Sequence, residues 1–340
     1  MRRLVTPGRL AATGLILLAV TVGVLLFAPG GGTYIFLPDD AAHAVAPLVT
    51  VEGEEPGTQA EGGIYYVNVV VRKATLLERL FPSIHDGATL VSAHELNPTG
   101  LSEEQRRSGN LREMSRSQEI AAAVALRELG HEVEATPTGV LVAAVFPDMP
   151  AAGQLQPTDV IVSVDGARVR TLDDLRGPLG RKSPGDRVVL DVRRGLGMRR
   201  VELRTIADPR DSERAFIGIA LEQAVEIELP LDVRIETGDV GGPSAGLAFA
   251  LDIVDEIGRD VDRGLKIAVT GELELDGGVA SVGGLEQKTI GARRSGVDVF
   301  VVPAGENAAE ARRHAGDLRI VPVRTFQQAL RALATRPIPG

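Results

Sequence analysis

From Leu10 to Ala28 the chain is uncharged, and apart from two threonines and two glycines it is wholly apolar. A run of this length matches the ~20 residues that a helix needs to cross the hydrocarbon core of a bilayer. Arg2, Arg3 and Arg9 precede it, and no Lys or Arg follows until Arg72, whereas Asp39, Asp40, Glu52, Glu54 and Glu55 do. That asymmetry predicts a cytoplasmic stub over 1–9, a transmembrane helix over 10–28 and everything beyond Ala28 on the outer side of a cell membrane. The same run also fits a cleaved leader with Ala42-His43-Ala44 as an A-x-A site, although that site lies well past the apolar stretch.

Beyond Pro29-Gly30-Gly31-Gly32 the rhythm changes. Residues 29–63 are rich in Pro, Gly, Ala and acids and read as a short extended segment and linker. Ile64 to Val71 is mostly apolar, which predicts a strand buried on both faces. Thr75 to Phe81 predicts a short helix stopped by Pro82. From Ser102 to Leu129 apolar residues recur at helical spacing, with Ala121, Ala122, Val124, Ala125, Leu126 and Leu129 as the packing face and Gly130 as the stop. This places one segment of a fold at 64–130.

Short alternating strands and tight Gly/Pro/Asp turns then occupy 131–207, with one helix near Leu172–Leu179, as in a small, partly open barrel. After a linker at Asp208–Asp211, strands and helices alternate through 208–340. Ile217–Leu221 and Val233–Thr237 read as strands, Pro243–Ile257 as a helix, and Lys266–Val279 as strand, turn and strand. A helix through Ala292 and Arg293 follows. A strand at Val297–Pro303, a helix near Glu306–His314, a strand at Leu318–Val323 and a helix at Phe326–Leu333 complete the series. The fold class is therefore α+β.

With 340 residues the chain has room for about two domains. Its net charge of -9 argues against a nucleic-acid partner. Zero cysteines exclude thiolate metal sites, disulfides and cysteine nucleophiles together, and the five histidines include no HExxH pair, so no metal site and no cofactor are expected. A phosphate loop of the G-x-x-x-x-G-K-[ST] form is absent from the sequence, so no nucleotide partner is expected; Gly180-Arg181-Lys182-Ser183 is only a fragment of one.

The candidate chemistry lies in Gly241-Gly242-Pro243-Ser244-Ala245-Gly246. Glycines permit close backbone approach, Pro243 suits a first helical turn, and Ser244 would sit at the positive end of a helix dipole, where N–H groups stabilise an oxyanion. Helix capping alone explains such a serine equally well. A second block changes the balance: Thr270-Gly271-Glu272 leads through Leu275-Asp276-Gly277-Gly278-Val279 to Ser281-Val282-Gly283-Gly284-Leu285-Glu286-Gln287-Lys288. Taken together the two blocks resemble the proteolytic domain of the Lon family, in the family's order and separation. The resemblance implies a serine endopeptidase with Ser244 as nucleophile, Lys288 as general base, and Thr270 and Gly242 in support. A lysine at its ordinary pKa is a poor base at neutral pH, so burial near Val282 and Leu285 has to lower it. Gly241 departs from the family, which commonly has Asp there; the nearest acid is Asp239.

The 131–207 region resembles a bacterial PDZ domain through Pro150-Ala151-Ala152-Gly153, Leu155-Gln156-Pro157-Thr158-Asp159-Val160-Ile161 and Val164-Asp165-Gly166. That implies a groove taking an extended peptide as an added strand, with Thr138, Gly139, Val140 and Leu141 of the preceding loop holding its carboxylate, or else a degenerate groove in a domain that only gates access to its neighbour or orients it. The whole resembles membrane-anchored, ATP-independent Lon-like proteases with an inserted PDZ domain. It implies unfolded or flexible extracytoplasmic protein segments as substrates and a homo-oligomer, since rings are common in Lon relatives. The alternative in another class is a catalytically silent, membrane-anchored scaffold that binds envelope proteins through its PDZ groove; a cytosolic processing protease is a third.

Overall fold

The computed structural model describes residues 7–53, 62–97, 100–209, 211–238 and 240–334, with side chains of the first helix described from Thr13 onward. Its centre is a six-stranded sheet in the order Arg319–Val323, Val299–Pro303, Lys266–Val269, Gly63–Thr75, Pro29–Ala44 and Thr89–Ser92. The first four run parallel and the last two pairings are antiparallel. Every residue of Val299–Pro303 is buried, as a parallel strand covered on both faces requires.

Alternation along these strands sorts the covering helices. Ile267, Val269, Val299 and Val301 share a core with the helix Gly246–Ile257 and with the long helix Glu103–Glu128. Ala268, Phe300 and Val302 share a second core with Leu285 and Ala292 of the helix Leu285–Arg294. Because successive side chains of a strand point to opposite faces, the helix after Ser244 and the helix carrying Lys288 cover opposite sides of one sheet.

The β-rich unit is inserted between the two segments that build this sheet. Its own sheet runs in the order Ile219–Glu228, Glu134–Val145, Val160–Val164, Arg187–Arg194 and Gly197–Arg204. The helix Leu172–Leu179 packs Leu175 into its core. A capping box at Thr171 starts this helix, and another at Ser102 starts the long helix.

Two expectations are corrected. Residues 29–63 are not simply a linker, because Pro29–Ala44 pairs with Gly63–Thr75 and Thr89–Ser92; its many small residues suit close packing against the helix Leu285–Arg294. The boundary at 207 moves as well. Ile206–Asp208 and Asp211–Phe216 form a hairpin where a linker was expected, Arg210 lying outside the described residues. The strand near 217–221 belongs to the β-rich unit, since Ile217 and Ile219 are buried in its core and Ile219–Glu228 pairs along Glu134–Val145. The first helix spans Pro7–Phe27, and no helix among the described residues is long and apolar enough to cross a membrane. The predicted span of 10–28 is thus not supported, residues 1–6 lying outside the described ones.

The seam between Pro29–Ala44 and the lysine helix is tight at Gly291, where an added Cβ would come within 2.5 Å of the backbone oxygen of Asp39. A backbone atom cannot swing aside as a side chain can. Gly291→Ala is therefore expected to destabilise the fold by about 1–3 kcal/mol, read as a lower denaturation midpoint in urea.

Candidate active site

The strand Lys266–Val269 ends at Thr270, and the two predicted catalytic side chains meet there from opposite faces of the sheet. A short 3-10 turn, Pro243–Ala245, precedes the helix Gly246–Ile257 and carries Ser244. Gly242 leads into it with φ 91 and ψ 155, a region that L side chains rarely adopt, and Pro243 occupies the first turn. On the far side Gly284, in the left-handed region, starts the helix that presents Lys288. The turn before that helix is held by Asn307, which accepts from Val282 N at 2.8 Å and donates to Val282 O at 2.9 Å.

Lys288 Nζ lies 2.9 Å from Ser244 Oγ and 3.2 Å from Thr270 Oγ1. The Thr270 hydroxyl donates to Ser244 O at 3.2 Å, and Gly271 N donates to the same oxygen at 2.9 Å. Thr270 is fully buried and Lys288 is only 5% exposed. Among the described residues no carboxylate pairs with it; burial disfavours the ammonium, and the Lys288 pKa is pushed down to about 8. A hydroxyl is thus held against an amine that is neutral in a useful fraction near neutral pH. Chemically, such an arrangement can pass a proton from a serine hydroxyl to an amine.

Gly241, the departure from the expected pattern, has a packing cause. The long helix passes so close that a Cβ at 241 would lie 2.8 Å from the Cβ of Asn110. Gly242 N donates to Asn110 O at 2.9 Å across the same contact. Asp239, the nearest acid in sequence, lies outside the described residues. At the other end of the serine helix, oxygens of Asp255, Asp260 and Asp262 lie within 4.8 Å of one another. Surface acids of this kind occur without an ion, and no ligand role is assigned to them.

Residues 127–205 match the PDZ domain family, and residues 221–335 match the Lon protease (S16) C-terminal proteolytic domain. The chain carries a PDZ domain and a Lon-type proteolytic domain. Lon protease 1 of Sorangium cellulosum (strain So ce56) is 34% identical over 148 residues, 38% of this chain and 18% of that protein. The Lon protease of Xanthomonas oryzae pv. oryzae is 35% identical over 143 residues, 38% of this chain and 17% of that protein. The chain thus spans less than a fifth of the length of these curated relatives. Among solved structures, the PDZ domain of the SdrC-like protein of Listeria monocytogenes is 28% identical, covering 25% of this chain and 87% of that one, with a TM-score of 0.23.

The residues predicted to form the PDZ peptide site do not lie at a free sheet edge. Gly139, Val140 and Leu141 lie inside the strand Glu134–Val145, opposite Ala224, Gln223 and Glu222 on one side, with Val140 and Leu141 opposite Ile161 and Val160 on the other. Thr138 sits at the register shift of the first of these pairings. Neighbours on both sides leave no room for a peptide strand. Ile219–Glu228 is instead the last strand of the sheet, and beside it lies a groove of about 320 Å³ lined by Arg176, Leu179, Phe216, Ile217, Ile219 and Leu221. At one end Gln223 ties strand to helix, accepting from Leu172 N at 3.1 Å and donating to Arg170 O at 2.8 Å. The sequence signal for this groove is the apolar-Gly-apolar turn Ile217-Gly218-Ile219, with Gly218 at φ 82, which lies beyond the PDZ match and was assigned to the other domain.

A lysine buried at such a depressed pKa costs stability. Between pH about 8 and 10.5 the unfolded chain binds the proton and the folded chain does not, so the contribution rises with pH and the penalty is complete below about 8. Lys288→Met is expected to raise stability at pH 7 by about 1–3 kcal/mol, an advantage that shrinks as the pH approaches 10.5. Thermal unfolding of both proteins across pH 6–10 checks this.

Proposed function

We propose that the chain is a serine endopeptidase that hydrolyses peptide bonds through Ser244 and Lys288. The observation that carries this reading is the 2.9 Å approach of Lys288 Nζ to Ser244 Oγ in a site buried enough to bring the lysine pKa to about 8. Ser244 Oγ attacks the scissile carbonyl carbon while neutral Lys288 takes the hydroxyl proton. The carbonyl oxygen becomes an oxyanion, held by backbone N–H groups of Ser244 and the residue after it, in a first helical turn whose donors lack intrahelical partners. Collapse breaks the C–N bond, and Lys288 returns its proton to the leaving amine. Lys288 then deprotonates a water that attacks the acyl-enzyme, releasing the acid and regenerating Ser244. Throughout, Thr270 accepts from the lysine while donating to Ser244 O, which keeps Nζ aimed at the nucleophile.

Several finer features belong to the same proposal. The sequence lacks a nucleotide phosphate loop, which supports ATP-independent cleavage of unfolded or flexible segments. Leu15, Ile16, Leu17, Leu18 and Phe27 of the first helix are all more than 60% exposed. Water is a poor solvent for such a surface, and its basic flank supports an anchor with the catalytic part outside the cell membrane. The PDZ groove takes the C-terminal end of a protein as an extra strand on the free edge of Ile219–Glu228, with apolar side chains among Leu179, Ile219 and Leu221 and a guanidinium, Arg176, near the carboxylate.

Cleavage of an unfolded protein is expected to fall by roughly a thousandfold or more in Ser244→Ala and in Lys288→Ala. The wild-type rate is expected to rise with pH through about 8 as Lys288 loses its proton. Undiminished cleavage in either variant would sink the dyad, whereas no labelling of Ser244 by a serine-reactive reagent at any pH favours the silent scaffold. For the PDZ groove, Leu221→Asp is expected to abolish binding of peptides that end in an apolar residue, whereas Val140→Asp, at a fully buried core position, also unfolds the domain; fluorescence anisotropy and thermal unfolding separate the two.

A further inference from the structure

The long helix Glu103–Glu128 touches the nucleophile turn and the PDZ sheet in alternation. On the protease side, Asn110 O accepts from Gly242 N at 2.9 Å, Ser117 Oγ donates to Pro243 O at 3.1 Å, and Gln118 Nε2 donates to Thr237 Oγ1 at 3.0 Å. Two of these bonds hold the peptide groups immediately before Ser244. Ser117 is 3% exposed, and its hydroxyl fills the space over Gly246, where a Cβ would approach to 2.5 Å. On the PDZ side, Arg112 Nη2 donates to Ala143 O at 3.2 Å and Arg116 Nη1 reaches Glu222 Oε2 at 3.3 Å.

Glu222 belongs to the strand Ile219–Glu228, whose outer edge borders the groove. Side chains of a strand alternate, so Ile219 and Leu221 face the groove while Glu222 faces the long helix. A peptide added to that edge therefore loads the strand that grips Arg116, one residue from Ser117. Five contacts on one rigid helix connect the two sites.

We propose that Ser117 is the positioning residue of the nucleophile turn, and that the helix carrying it makes the reactivity of Ser244 depend on occupancy of the PDZ groove through Arg116 and Glu222. This rests on the assignment of Ser244 as nucleophile. Ser117 touches neither Lys288 nor the reacting oxygen; it acts by fixing the Pro243 carbonyl and thereby the direction of the Ser244 side chain. Displacements of an ångström in such geometry cost rates up to a hundredfold. The Arg116–Glu222 pair is partly exposed, with both side chains 36% accessible, and pairs of that kind are weak. The response to peptide is accordingly modest, about 5-fold.

The test uses the full chain in detergent. Ser117→Ala is expected to lower kcat on an unfolded protein by roughly 10- to 100-fold with KM little changed. Labelling of Ser244 by a serine-reactive reagent should slow in proportion while the fraction of titratable sites stays complete. A purely structural role gives the opposite pattern: fewer titratable sites, each reacting at the wild-type rate, and this would overturn the assignment. Should Ser117→Ala not fold, the second arm decides. An octapeptide ending in valine with a free carboxylate is expected to change the labelling rate about 5-fold in wild type and not at all in Arg116→Gln or Glu222→Gln. An equal response in all three, or none in wild type despite measured binding, overturns the coupling. Wild-type activity in Ser244→Ala would instead remove the nucleophile assignment beneath it.

Discussion

A lysine ammonium kept out of water is the constraint on which the site depends. Lys288 is almost fully buried beside two hydroxyls, with no carboxylate partner among the described residues to favour its charge. A paired lysine would be more comfortable and useless as a base, because an opposite charge raises its pKa. Burial alone lowers it, and that burial needs sheet, helix and turn all to be in place. The site is therefore a stored instability, in keeping with the trade between stability and activity at functional positions.

The sheet makes that burial possible. Strands with alternating Val, Ala and Phe present two apolar faces, and helices cover each. The carboxyl edge of Lys266–Val269 is where both faces end together, so groups from opposite sides can touch there without crossing a core. Thr270 stands at that edge and bonds to both the lysine and the serine backbone. The small residues nearby serve the same closeness: Gly241 lets the long helix pass and Gly291 admits the strand Pro29–Ala44. The long helix has a double allegiance, packing alanines into the core while its polar residues hold the turn on one side and the PDZ sheet on the other.

Most local structure was legible along the chain, because periodicity and caps are local. Ser102 and Gly130 bracket the long helix, and Leu172–Leu179 and Glu306–His314 stand where the pattern puts them. The glycine-serine and lysine blocks marked the site by residue type and order. Where the reading failed, a distant partner decided the outcome. Pro29–Ala44 has the composition of a linker and becomes a strand because two others pair with it. Ile217–Leu221 follows a turn that resembles a linker, yet it closes the sheet of the preceding domain. Thr138–Leu141, expected to border a PDZ groove, lie in an interior strand for the same reason, since which strand is an edge is a property of the sheet and not of the strand.

By itself, then, the sequence determined the α+β class, nearly every helix, and the identities of Ser244, Thr270 and Lys288 as the residues to watch. Helical periods, caps and reactive side chains are written within a few positions of one another. Only the tertiary structure decided that a serine and a lysine forty-four positions apart lie 2.9 Å from each other, and that the lysine is dry. Distance across a sheet and exclusion of water are set by packing between elements far apart in the chain, and no local pattern encodes them.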